Sequence, residues 1–362
     1  MKNKKILFAA CTLNFGGIET SLVTLANYLS KEGHSITIAL EKKEGPFLND
    51  LSEQINVVEY NPSNIKFMPL RKAVNLCKRL KFILKYKNKF DFAACYATYS
   101  LPANFMARTA SANTALWVHS NYLALFNNDK QKTKEFFEQV NYSKFSHIIF
   151  VANKAGDVFL DIFPEAKGNV NIINNLVNYT QIIEKSKEEI DLPKDPQLTT
   201  FLSVGRLDER QKRLSRLIET SAKLKSNNYN FRVLIVGDGP DKPLYENMIE
   251  QQNLQKEVIL LGSKKNPYPY FKVSDCFVLT SEYEGYPVVY VESFVLNMPI
   301  ITTEVSDSIK DVAGKWGYVT KKEVEDIYEH MKKFIEERYT IKETFDGEKF
   351  NKSITESLEK LF

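Results

Sequence analysis

Cysteine is scarce in this chain, and so are the patterns that make it informative. Cys11, Cys77, Cys95 and Cys276 lie far apart with no Cys-x-x-Cys pair. That excludes a zinc ribbon and a disulfide framework, and makes a reducing cytosol the expected home. No apolar run reaches the roughly 18 residues of a membrane span. The opening MKNKKILFAAC has the lysines and cysteine of a lipoprotein signal. Its apolar run, Ile6–Ala10, falls short of the roughly 7–15 residues such a region needs, so a buried first strand is expected. There is no low-complexity tract and no internal repeat strong enough to prove duplication. Acid is missing altogether between Lys66 and Phe90, where nine basic residues stand.

What is present is a soluble, globular composition: 43% hydrophobic and 26% charged over 362 residues. That length exceeds one ordinary core and implies two domains. Residues 1–178 carry 22 Lys+Arg against 14 Asp+Glu, a formal +8, and the remainder carries 27 against 31, or −4. The basic half points to an anionic surface or ligand.

Periodicity gives two series of alternating strands and helices. KILFAA (5–10) is a continuous apolar run, as a buried parallel strand should be. Leu22, Leu25, Ala26 and Leu29 then repeat with helical spacing, Gly33 stops the helix, and SITIAL (35–40) follows as the next strand. Further strands are expected at INVVEY, FDFAACY, TALWV, HIIFV and NVNII. A polar connection after Asn174 precedes a second series at TTFLSV, FRVLIV, EVILLG, CFVLT, PIITT and WGYVT. The expected fold is α/β, two Rossmann-like domains facing each other, with a ligand at the carboxyl ends of the strands between them. The expected bounds are 1–178 for an acceptor domain, 179–345 for a donor domain, and 346–362 for a C-terminal helix packing back towards the first.

Four stretches could carry chemistry. FGGIET (15–20) places Gly16 and Gly17 between a strand and a helix. Backbone N–H groups there can meet an anion, or the pair can be a plain tight turn. In SVGRLDERQKRLSRLI (203–218), Gly205, Arg206 and Lys212 follow a strand, a place suited to a diphosphate or to a solvated basic loop. In SEYEGYPVVYVESF, Glu284 lies in a loop. Pro287 suits the first position of a helix whose buried face is Val288, Val291 and Val295, and Glu292 lies further along it. Each carboxylate could bind a sugar hydroxyl or a ribose diol, or could be an ordinary helix-start or surface acid. His119, in WVHSNY, ends a strand, a functional place in such sheets, although a lone histidine is more often structural.

Taken in order, these features resemble the retaining nucleotide-sugar glycosyltransferases of family 4, with the two-domain GT-B fold. FGGIET followed by LSKEGH looks like the family's Gly-Gly loop, first helix and Gly-His turn. SVGRLDERQK with a later IVGDGP looks like its diphosphate-binding region. Glu284 and Glu292 match its Glu, seven residues, Glu signature. The resemblance implies nucleotide-sugar contacts at Gly16, Gly17, Gly205, Arg206, Lys212, Gly285, Tyr286, Val288 and Glu292. Catalytic duties would fall to His119, Glu284, Arg206 and Lys212. Glu284 would meet the donor sugar near the reacting centre, Glu292 the nucleotide ribose, and His119 the sugar from the N-terminal half. Arg206 and Lys212 would neutralise the departing diphosphate. No cofactor or metal is expected, and no Asp-x-Asp of the other major glycosyltransferase fold is present. The chain departs from the pattern at Arg213, where the family usually has a small residue, at the hinge NNLVN, and at Ser120.

The implied reaction moves a hexosyl unit, with retention, from a UDP-sugar ahead of a GDP-sugar to a glycan acceptor linked to a polyprenyl diphosphate, in bacterial polysaccharide, capsule or glycoconjugate biosynthesis. Residues 66–90 keep an apolar stripe of Leu70, Val74, Cys77, Leu80 and Leu84. It serves either to pack a helix on the core with a solvated basic back, or to lay it on an anionic membrane. The second option gives a cytoplasmic protein peripheral to the inner face of the cell membrane. No nucleic-acid motif accompanies the charge. The competing readings are a sugar-nucleotide epimerase of the same fold, or a non-catalytic nucleotide-sugar-binding subunit.

Overall fold

The computed structural model describes residues 3–14, 16–284, 286–306 and 308–362. Its strands form two parallel sheets. The first contains β1 (Lys5–Ala10), β2 (Ser35–Leu40), β3 (Asn56–Glu59), β4 (Phe92–Cys95), β5 (Thr114–Val118), β6 (His147–Phe150) and β7 (Val170–Ile172), in the order β3-β2-β1-β4-β5-β6-β7. The second contains β8 (Thr199–Val204), β9 (Phe231–Val236), β10 (Val258–Gly262), β11 (Cys276–Leu279), β12 (Ile300–Thr303) and β13 (Gly317–Thr320), in the order β10-β9-β8-β11-β12-β13. Helical crossovers cover both faces of a parallel sheet. That is why KILFAA and SITIAL read as unbroken apolar runs: the last five residues of each are buried.

Two units carry these sheets, Met1–Leu176 with Lys349–Phe362, and Val177–Glu348. In the second, one apolar layer holds Phe201, Leu217, Val233 and Met331, and the other Leu202, Leu234, Phe277 and Tyr290. In the first, the end of the chain is bound tightly. The Phe362 ring lies 4.9 Å from Phe92 and 5.7 Å from His34, and Asn113 Nδ2 donates to the Leu361 carbonyl at 2.6 Å.

Each strand order reverses once, between β1 and β4 in the first sheet and between β8 and β11 in the second. Chain leaving the carboxyl ends of such neighbours turns to opposite faces of the sheet and opens a crevice. After β1 comes helix α1 (Gly17–Lys31), ended by Gly33 in the left-handed region at φ 92°.

Two local expectations need correction. Pro287 is not the first helical residue: with ψ at 112° it caps the helix Val288–Val295 from outside. That helix buries Tyr290, Val291, Glu292, Ser293 and Phe294, while Val288 and Val295 are only half-buried. The larger rings took the core side. The same physics overturns the core-facing reading of helix α2 (Met68–Tyr86). Its stripe of leucines faces outward, with Leu84 83% exposed. Phe82 is its buried residue, at ring distances of 5.8 Å from Tyr60 and 5.9 Å from Phe105 on helix α3 (Leu101–Ala110). An aromatic side chain with aromatic partners decided the docking face, and the stripe was left outside.

Candidate active site

The loops leaving β8 and β11 are stitched together at the reversal of the second sheet. Asp208 caps a one-turn helix, Glu209–Lys212, by accepting from the Gln211 N–H at 3.3 Å. The Glu282 N–H donates to the Gln211 carbonyl at 2.7 Å, and Thr280 Oγ1 donates to the carbonyls of Lys212 and Arg213, each at 3.1 Å. Arg213 lies in the left-handed region at φ 48° between two helices, which is the reason a small residue suits that position. It is retained here with a 3.2 Å ion pair to Glu209.

This stitching sets Lys212 Nζ 2.6 Å from Glu284 Oε1. The carboxylate also accepts from Ser281 Oγ at 2.8 Å and from Gln211 Nε2 at 3.2 Å. The Lys212 stem crosses Gly205, where an added Cβ would meet its Cε at 3.2 Å. Gly237, from the IVGDGP stretch, has φ 152°, and a Cβ there would lie 1.8 Å from the Gly205 carbonyl oxygen. Both glycines therefore serve close approach at the floor of this crevice. Arg206 is exposed on its rim, and its guanidinium makes no hydrogen bond or ion pair among the described residues. A half-buried, multiply bonded carboxylate beside one paired and one unpaired cation, at the carboxyl ends of parallel strands, is suited to a hydroxylated, anionic ligand.

The sequence matches the family model described as Glycosyltransferase Family 4 over residues 15–181, and that of Glycosyl transferases group 1 over residues 183–350. The chain belongs to the family 4, group 1 glycosyltransferases. Among proteins similar to it is a Campylobacter jejuni N-acetylgalactosamine-N,N'-diacetylbacillosaminyl-diphospho-undecaprenol 4-alpha-N-acetylgalactosaminyltransferase. It is 26% identical over 84% of this chain and 81% of that one. An uncharacterized glycosyltransferase of Methanocaldococcus jannaschii is 27% identical over 57% of this chain, and the match spans only about half of that relative, 55%. A crystal structure of Anabaena Alr3699/HepE in complex with UDP and glucose superimposes with a TM-score of 0.77 at 17% identity, covering 99% of this chain and 100% of that one. The fold is GT-B, and the enzyme is a glycosyltransferase.

The remaining signature residues of this glycosyltransferase have partners of their own. Glu292 is 9% exposed and accepts from the Tyr268 hydroxyl at 3.1 Å. Burial pushes its carboxyl up to about 7, against the opposing hydrogen bond from Tyr268. Tyr286, half-buried, donates to Asp311 Oδ2 at 3.1 Å, and Val288 opens the helix. Gly285 lies outside the described residues.

Three sites named from sequence belong to the first unit. His119 follows β5, its ring 4.6 Å from that of Tyr96. Burial holds its imidazole down to about 3, against a backbone hydrogen bond to Tyr96. The ring is therefore neutral. Its Nε2 is inaccessible and has no hydrogen-bond partner among the described residues. With the backbone bond using the other ring nitrogen as donor, Nε2 is an acceptor without an O–H. Gly16 and Gly17 are exposed at the start of α1, and no side chain caps that helix. Glu19 folds back over them, its Oε2 2.2 Å from where a Gly16 Cβ would stand, so a carboxylate already sits at the positive helix end.

Sequence reasoning missed the partners. Gln211 and Ser281 were in view beside Lys212 and Glu284, but nothing marked them as ligands of one carboxylate. Tyr268, 24 residues from Glu292, left no signal at all.

Proposed function

We propose that this glycosyltransferase moves a hexosyl unit, with retention, from a nucleotide-sugar to a lipid-linked glycan acceptor in bacterial polysaccharide or glycoconjugate biosynthesis, at the inner face of the cell membrane. The observation that carries the reading is the Lys212–Glu284 pair at 2.6 Å above Gly205, at the reversal of the second sheet. Breaking a glycosyl–phosphate bond leaves positive character on the sugar and extra negative charge on the diphosphate. Arg206 and Lys212 are the cations for that diphosphate. Lys212 exchanges Glu284 for phosphate when donor binds, and Glu284, still bonded by Ser281 and Gln211, turns its freed oxygen to a sugar hydroxyl. Glu292 takes the ribose diol, with Tyr286 and Val288 beside the nucleotide. The backbone at Gly16 and Gly17 meets the diphosphate. His119 meets the sugar once its ring turns to expose Nε2, which then accepts from a sugar hydroxyl. In front-face attack the leaving phosphate takes the acceptor's proton, so no protein nucleophile and no metal are needed.

A UDP-sugar is favoured over a GDP-sugar because the Anabaena structure of the same fold holds UDP. A lipid-linked acceptor is favoured because the Campylobacter relative acts, by its name, on a diphospho-undecaprenol glycan. Purified protein incubated with UDP- and GDP-sugars in EDTA, with and without lipid-linked acceptor, tests the reaction. Release of nucleotide from one UDP-sugar, rising on addition of acceptor, is expected. Nucleotide binding with no turnover on any donor would point to a missing acceptor or partner, or to the non-catalytic reading.

Helix α2 is the membrane contact. No described helix is long and apolar enough to cross a membrane, but α2 exposes Met68, Leu70, Leu76, Leu80 and Leu84 among its basic residues. Each cation near an anionic surface contributes up to about 1 kcal/mol. Flotation with phosphatidylglycerol vesicles should be strong at low salt and lost at high salt; binding that ignores salt, or none, removes this contact.

A further inference from the structure

The first unit contains a second charged cavity. It has a volume of about 490 Å³ and lies between α2, α3 and the chain after β3. Tyr60, Arg71, Lys72, Leu76, Arg79 and Phe105 line it, and no carboxylate does. That volume is in the range of small-molecule sites, roughly 300–1,000 Å³. Among the described residues, neither Arg71, Lys72 nor Arg79 makes an ion pair. Lys194, Arg216 and Lys322, by contrast, each have a carboxylate within 2.9 Å. Three uncompensated charges converging on one concavity repel each other unless an anion joins them.

The cavity is also built. The Arg79 guanidinium carbon lies 5.2 Å from the centre of the Phe105 ring. Stacking fixes the plane of the guanidinium, which also bonds the Tyr60 side chain, and leaves its remaining donors for a forked contact to phosphate oxygens. The wall after β3 is pinned, with Asn75 Oδ1 accepting from the Ser63 N–H at 2.7 Å. Lys72 and Arg79 are two turns apart on one helix face, about 10 Å along the axis.

Leu76 lines this cavity and stands exposed beside the outward stripe. Leu76 is 57% exposed, Leu80 51% and Leu84 83%. Cys77, Leu80 and Leu84, flanked by Lys81 and Lys85, line an open groove further along α2. Three cations thus meet in a cavity at one end of an apolar track about 12 Å long, and Lys81 and Lys85 flank its further part. Contact with a flat anionic surface accounts for the charges spread along α2 but not for the cavity. A molecule with two adjoining phosphoryl groups and a hydrocarbon tail needs this arrangement.

We propose that the cavity holds the diphosphate of a lipid-linked acceptor through Arg71, Lys72 and Arg79, with the lipid chain laid along Leu76, Leu80 and Leu84. This rests on the reading that the acceptor is lipid-linked, and gives that reading a second site, on α2.

The test is vesicle binding by the full chain. Phosphatidylcholine vesicles carry either a polyprenyl diphosphate or phosphatidylglycerol, at equal total charge. The wild-type protein should prefer the diphosphate vesicles by about tenfold or more, the scale of losing charge-assisted contacts. Arg71→Ala with Arg79→Ala should abolish the preference. Lys81→Ala with Lys85→Ala removes the same charge outside the cavity; it should weaken both kinds of binding and keep the preference. Equal, salt-sensitive binding to both vesicles by the wild type overturns the cavity site and leaves the membrane contact standing. Binding to neither overturns both. Loss of preference in the two double variants alike also overturns the cavity site.

Discussion

Lys212→Ala lowers nucleotide release from the donor by at least about 100-fold, the scale of losing one transition-state charge partner. The same change removes the cation 2.6 Å from Glu284 and leaves a carboxylate whose side chain is only 10% exposed. Ser281 and Gln211 still bond it, so the stability cost should be about 1–3 kcal/mol, that of a buried charge losing one partner among several. Arg206→Ala separates the two effects. Its guanidinium is exposed and has no partner among the described residues, so the rate should fall on a similar scale while the melting temperature stays put. Initial rates and thermal melts on the same samples decide. Wild-type-like turnover in either variant, with the fold intact, removes that residue from the diphosphate site.

Glu292→Gln should act in opposite directions on stability and on binding. Burial raises the wild-type carboxyl from its ordinary value of 4.5 to about 7. Between those values the folded protein keeps a proton that the unfolded chain has released. Stability therefore falls as pH rises across that window and is level above it. The amide carries no charge to desolvate and still accepts from Tyr268. The variant should be more stable than wild type by about 1–3 kcal/mol at pH 8 and no different near pH 4.5. Nucleotide binding runs the other way. A ribose diol donates to the ionised carboxylate, so wild-type affinity should weaken as pH falls below about 7, by up to about tenfold per unit. In the variant it should be about 10–100-fold weaker at pH 8 and nearly independent of pH, because charged hydrogen bonds are lost. Calorimetric titration with UDP at several pH values reads this. An unchanged pH profile in the variant would detach Glu292 from the ribose.

The strands were the most legible part. KILFAA, SITIAL, TALWV, TTFLSV and FRVLIV coincide with β1, β2, β5, β8 and β9 to the residue, because a strand buried on both faces must be apolar throughout and is punctuated by polar loops. Helix faces were less legible. In Val288–Val295 the valines suggested one docking face and aromatic rings chose another; in α2 two uses of the stripe stood open, and Phe82 decided between them. Periodicity counts apolar positions but does not weigh which side chain finds a matching neighbour.

The order and chemistry of the candidate residues followed from the sequence alone: glycines after strands, cations and acids at the carboxyl end of the second sheet, and an acid-free basic segment in the first half. Their local partnerships did not. Whether Lys212 meets Glu284, 72 residues away, depends on β8 and β11 being neighbours, which only the strand order decides. Burial of Glu292 against Tyr268 and the isolation of His119 Nε2 likewise come from packing, because a side chain's solvation is set by residues far off in the chain. The same holds for α2, whose charges were legible as a run. That three of them share a cavity, and that its leucines stay outside, was decided when Phe82 docked between Tyr60 and Phe105.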